Sequence, residues 1–146
     1  MTDGEKELLQ LFLNYARNEQ RLHEREERLK SKTYRITPSY SNTGGSGGNS
    51  SKSKVEAHAE KIIKLKQEIA EYRWKVGVVE AALQCPELTN LEWRTLNWIA
   101  NGGKPAAFAE LEGIYISRIY KIRDRALRKA LRVLETTKRS KNRVKY

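Results

Sequence analysis

Five apolar residues, Val55, Ile62, Ile69, Val76 and Leu83, recur at intervals of seven, and no other feature of the chain restricts its fold so tightly. His58, Leu65, Tyr72 and Val79 each stand three positions after one of the first four. This is the seam of a coiled-coil helix, and it needs a second helix to cover it. The repeat predicts a helix over residues 54–85. Gly77 falls inside it at a propensity cost of about 1 kcal/mol. Pro86 ends it and pushes Cys85 out of helical geometry.

A weaker seam precedes it. Leu8, Tyr15, Leu22 and Leu29 are also spaced by seven, with Phe12 adding one adjacent position, so residues 1–30 are expected to contain one continuous N-terminal helix from Glu5 to about Lys30. Between the two seams, residues 31–53 change composition abruptly. Pro38, Gly44, Gly45, Gly47 and Gly48 lie among Ser, Asn and Thr, which predicts a flexible linker. Tyr34, Ile36 and Tyr40 at its start are candidates for a small contact patch. The linker is long enough to reverse the chain, which predicts an antiparallel helical hairpin with Leu29 near Val55 and Leu8 near Val76. The alternative is a homodimer through the heptad helix, and the polar gaps at Glu19 and Glu26 in the first seam keep that alternative open.

The charge is distributed unevenly. The chain of 146 residues carries a formal charge of +11, and from Gly113 onward there are twelve Lys/Arg against only Asp124 and Glu135. So concentrated a positive block points to a polyanionic partner. The single cysteine cannot close an internal disulfide and fits a reducing, cytoplasmic setting. No apolar run is long enough to span a bilayer, and the acidic N-terminus lacks the layout of a signal peptide. No CxxC, HExxH or phosphate-loop motif is present, so neither an enzyme nor a metal or cofactor site is expected. His23 and His58 lie too far apart in sequence for one thiol to complete a zinc site with them.

Residues 86–137 hold the pattern that bears on function. Thr89 followed by Glu92 marks a capped helix start, and Asn101-Gly102-Gly103 a stop, giving a helix near Asn90 to Ala100. Pro105 suits the first position of the next helix, which reaches Glu112. Gly113 then supplies a tight turn, with the small Ala109 where two helices would approach. After the turn, Ile114, Ile119, Ile122, Ala126, Leu127, Ala130, Leu131 and Leu134 fall on one helical face. The opposite side presents Ser117, Arg118, Tyr120, Lys121, Asp124, Arg125 and Arg128. Cations mixed with hydrogen-bonding groups on one face suit phosphate and base contacts, so a helix-turn-helix with a DNA-binding second helix is expected. Residues 138–146 read as a basic tail, each phosphate contact of which would add about 0.9 to the salt dependence of binding.

The runs Phe108-Ala109-Glu110-Leu111 and Ile119-Tyr120-Lys121-Ile122-Arg123-Asp124-Arg125-Ala126-Leu127-Arg128-Lys129, with Leu88-Thr89 and Leu91-Glu92 upstream, resemble region 4 of bacterial sigma factors. Together with the charged first helix, the Ser/Gly linker and the long second helix, they resemble small phage proteins of the RinA/ArpU type. The resemblance implies an all-α late-gene transcriptional activator in the cytoplasm of a Gram-positive host, nucleoid-associated, with bacterial RNA polymerase as a further partner. By position it also implies base or phosphate contacts from Ile116, Ser117, Tyr120 and Lys121. Two departures bear on the site. Tyr115 stands where the family has a capping Thr or Ser, so the helix start is expected to slide toward Ser117. Ile116 replaces a common cation, leaving it either a thymine-methyl contact or a core role. The competing readings are a DNA-packaging component similar to a terminase small subunit, and a non-specific nucleic-acid-binding adaptor.

Overall fold

The computed structural model describes the backbone of residues 1–35 and 48–144, and side chains within residues 1–32 and 54–137. Six helices form there, with no strand among the described residues: α1 (Asp3–Leu13), α2 (Tyr15–Arg35), α3 (Gly48–Leu83), α4 (Asn90–Ala100), α5 (Pro105–Glu112) and α6 (Ile116–Val144). No described helix is long and apolar enough to cross a membrane. The chain divides into two compact units, residues 1–18 with 75–146, and residues 19–74.

The expected single N-terminal helix is two helices. Asn14 leaves helical geometry (φ −99°, ψ 5°), although its N–H still donates to the Gln10 carbonyl. The interruption needs neither Pro nor Gly. Helix α1 packs in the first unit, where Leu8 and Phe12 are buried with Val79, Ala82, Leu96, Ile99, Ala126, Leu127 and Ala130. Phe12, Leu96 and Leu127 are completely enclosed, and burying a side chain of this size contributes about 1.5–3 kcal/mol. A capping box starts α1: the Glu5 N–H donates to the Thr2 hydroxyl, and the Thr2 N–H donates to the Glu5 carboxylate.

Within residues 19–74, α2 and α3 run antiparallel in one chain. Arg25 pairs with Glu68 at 3.3 Å and Arg73 with Glu26 at 3.2 Å, while the Arg25 guanidinium lies over the Tyr72 ring. The expected register of Leu29 with Val55 is therefore corrected: Arg25 faces Glu68 and Glu26 faces Arg73, a register in which Leu65 and Ile69, not Val55, are buried. Val55 is left 69% exposed. Leu65 and Ile69 are buried, and Ile62 and Tyr72 are half-buried, so the seam is covered from Ile62 onward. Helix also replaces part of the expected linker, since α2 continues to Arg35 and α3 begins at Gly48. The proposed contact patch of Tyr34, Ile36 and Tyr40 lies outside the described side chains.

The α4–α5 connection follows the sequence closely. Thr89 caps α4 by accepting from the Glu92 N–H, and Pro105 opens α5. Gly102 adopts φ +83°, a left-handed value that suits glycine. Gly103 is required for a different reason: the Trp98 indole, whose N–H donates to the Lys104 carbonyl, occupies the space a β-carbon would need. Gly103→Ala is expected to destabilise the fold by about 1–3 kcal/mol through overpacking. Urea unfolding measures this, and an unchanged midpoint would show that Trp98 can move aside.

Candidate nucleic-acid interface

Helix α6 is held on its apolar side and open on its charged side. Ile119 and Ile122 pack with Phe108 and Ala109 of α5, with Leu91, Trp98 and Ile114 at the margin. One turn further along, Ala126, Leu127 and Ala130 enter the core shared with α1, α3 and α4. Gly113 ends α5 at φ +67°, and the Ile114 N–H donates to the Ala109 carbonyl, so α5 stops in a tight turn. The Tyr115 carbonyl accepts from the N–H groups of Arg118 and Ile119. The helix thus begins at Ile116 and does not slide to Ser117.

Two buried carboxylates tie α6 to its neighbours. Glu92 of α4 is buried and accepts from the Lys129 ammonium at 2.8 Å; the same ammonium also donates to the Glu87 carbonyl. Glu5 of α1, equally buried, pairs with Arg128 at 3.4 Å. Neither link is visible in the local sequence pattern, although the Thr2–Glu5 spacing signals the cap that holds the second carboxylate in place. Arg94 of α4 pairs with Glu112 at the end of α5, joining the two shorter helices.

The expected contact residues do not all share one environment. Tyr115 is 86% exposed, and Ser117, Arg118, Lys121 and Arg125 are also exposed. Arg118, Lys121 and Arg125 form no ion pair among the described residues. Ser117, Lys121, Arg125 and Arg128 lie at i+4 and i+3 steps along one stripe of the helix. Ile116 and Tyr120 form the adjoining stripe, one turn apart and about two-fifths exposed. The exposure of Ile116 removes the core role from its two expected readings. Asp124 is engaged with Arg123 at 2.8 Å, and the Arg123 guanidinium also covers the Tyr120 ring at 4.9 Å. Arg128 remains largely exposed while tied to Glu5. Asp124 and Arg128 are therefore structural as well as surface residues. The residues 138–144 continue α6 as helix instead of a separate frayed tail, and their side chains lie outside the described set.

Among the described residues no group of three His, Cys, Asp or Glu is placed to hold a metal ion. Comparison with protein-family models, with curated proteins and with solved structures found no match.

Burial pushes the Glu92 carboxyl upward, but Lys129 and the Thr89 cap outweigh it and hold the group below its ordinary range. A carboxylate with a depressed folded-state pKa adds stability above its unfolded-state pKa and loses it as the pH falls through the folded value. Lys129→Met is accordingly expected to cost about 1–3 kcal/mol near neutral pH, where it strands a buried carboxylate. The difference from the unsubstituted chain should shrink on acidification below the ordinary carboxylate range. Denaturant unfolding across pH checks this, and a penalty independent of pH would assign Lys129 a packing role alone.

Proposed function

We propose that the chain is a sequence-specific DNA-binding transcriptional regulator in which α5, the Gly113 turn and α6 act as a helix-turn-helix. In this reading the first turns of α6 lie in the major groove of double-stranded DNA. The observation that carries it is the exposed face of α6, where Arg118, Lys121 and Arg125 stand without ion pairs among the described residues, beside Ser117, Tyr115, Ile116 and Tyr120. A helix held rigidly by its opposite face can present such groups to a duplex with little ordering cost. The cations supply phosphate attraction, and the mixed polar and apolar tips suit base edges. Activation of phage late genes, and contact with RNA polymerase, rest on the resemblance to the RinA/ArpU type and to sigma region 4.

Two substitutions separate base reading from phosphate attraction. Lys121→Ala is expected to reduce discrimination between a preferred and a random duplex by about 1–3 kcal/mol if it reads a base. An equal loss on both duplexes, with the salt slope falling by about 0.9, would make it a phosphate contact. Ile116 is assigned to a thymine methyl. Replacing the facing thymine by deoxyuridine should then weaken binding about fourfold, the value of one buried methyl group. Ile116→Ala should remove that difference. Titrations of both duplexes with both proteins measure it, and a deoxyuridine effect that survives Ile116→Ala would contradict the assignment.

A further inference from the structure

Arg123 differs from its neighbouring cations on α6. Its side chain is only 18% exposed, whereas Arg118, Lys121 and Arg125 are exposed. Its Nε and Nη2 both donate to Oδ1 of Asp124, at 3.0 and 2.8 Å. Consecutive residues on a helix do not ordinarily face each other, so this contact requires the guanidinium to reach sideways. At 100° per residue, Arg123, Tyr120 and Asp124 lie about 40°, 100° and 140° round α6 from the buried Ile119. The reach from Arg123 to Asp124 therefore crosses Tyr120, and the guanidinium carbon sits 4.9 Å from the centre of that ring.

A guanidinium over an aromatic face is an attractive contact. Asp124 fixes the guanidinium in turn through two charge-assisted hydrogen bonds. The same pairing neutralises Arg123, which separates it from the cations that stand open to a phosphate. Tyr120 itself remains 39% exposed beside Ile116, one turn away on the same stripe. Its hydroxyl forms no hydrogen bond among the described residues. A side chain already held in one orientation loses less freedom on docking than one that is free to turn.

We infer that Arg123 is a positioning residue for base reading: by holding the Tyr120 ring, and without touching DNA itself, it sharpens the preference of α6 for one sequence. Asp124 anchors Arg123 in that role. The inference rests on the groove reading proposed above and adds to it a residue outside the expected contact set, with Tyr120 as the side chain that meets the duplex.

Titrations of the full chain across a salt series test it, with a duplex enriched from a random library and a random duplex as probes. Circular dichroism confirms that each variant is folded. Arg123→Met should lower discrimination between the two duplexes about two- to fivefold, the value of a partly exposed cation–π contact, and leave the salt slope unchanged. Tyr120→Leu should lower it at least as much, and adding Arg123→Met to Tyr120→Leu should cost nothing further. In the chain without DNA, the side-chain proton resonances of Arg123 should lie upfield through the ring current of Tyr120 and return to ordinary positions in Tyr120→Leu. Losses that add in the double variant, discrimination indifferent to Arg123→Met, or resonances indifferent to Tyr120→Leu would overturn the proposal. A salt slope lowered by about 0.9 in Arg123→Met would overturn it too, making Arg123 a phosphate contact. If selection enriches no duplex, the groove reading fails and this role falls with it, even where the ring-current shift is intact.

Discussion

The apolar stripe Ile119–Ile122–Ala126–Leu127–Ala130 is the constraint on which the rest of the first unit depends. Helices α1, α4 and α5 all pack against α6, and each covers a different stretch of it. Because alanines recur in the stripe, these helices come close, and fully enclosed residues such as Leu96, Ile119 and Leu127 fill the space between them. Burial alone would tolerate a slide or a rotation of α6. The buried carboxylates of Glu5 and Glu92 oppose that, because Glu5 pairs with Arg128 and Glu92 with Lys129, and a displaced α6 would break both pairs.

That arrangement leaves the remaining cations of α6 facing outward. Arg123 is turned to Asp124 and Tyr120, Arg128 to Glu5, and Lys129 to Glu92. Arg118, Lys121 and Arg125 receive no such internal partner among the described residues. The uneven charge of the sequence is thus divided by the fold into cations that fix the helix and cations that stand on its surface. The surface group lies next to the Gly113 turn, where Tyr115, Ile116 and Tyr120 add apolar tips. The proposed groove contact follows from this juxtaposition, not from net charge alone.

Features set by neighbours in the chain were legible in the sequence. The α4 boundaries followed from Thr89, Glu92 and the Asn101-Gly102-Gly103 stop, and the α5 boundaries from Pro105 and Gly113. The all-α class followed from the periodicity of the apolar residues. What depended on distant packing was not legible. Leu8, Tyr15, Leu22 and Leu29 keep one period across Asn14, so the break there left no mark, and neither did the entry of α1 into the C-terminal core. The α2–α3 register, marked by the pairs Arg25–Glu68 and Glu26–Arg73, depends on which residues of two distant helices meet, which a count of apolar residues does not reveal. For the candidate site, the exposed face of α6 was legible, but the engagement of Asp124 and Arg128 in internal pairs was not.

Selection of bound duplexes from a random library at about 150 mM salt, near physiological ionic strength, tests the central claim most directly. If α6 reads bases as proposed, one motif is enriched, and Ile116→Ala or Lys121→Ala blurs it at particular positions while other positions hold. If bound and unbound pools are indistinguishable and binding collapses steeply as salt rises, the cations of α6 act by counterion release alone. That result would contradict sequence-specific regulation as the function of this helix.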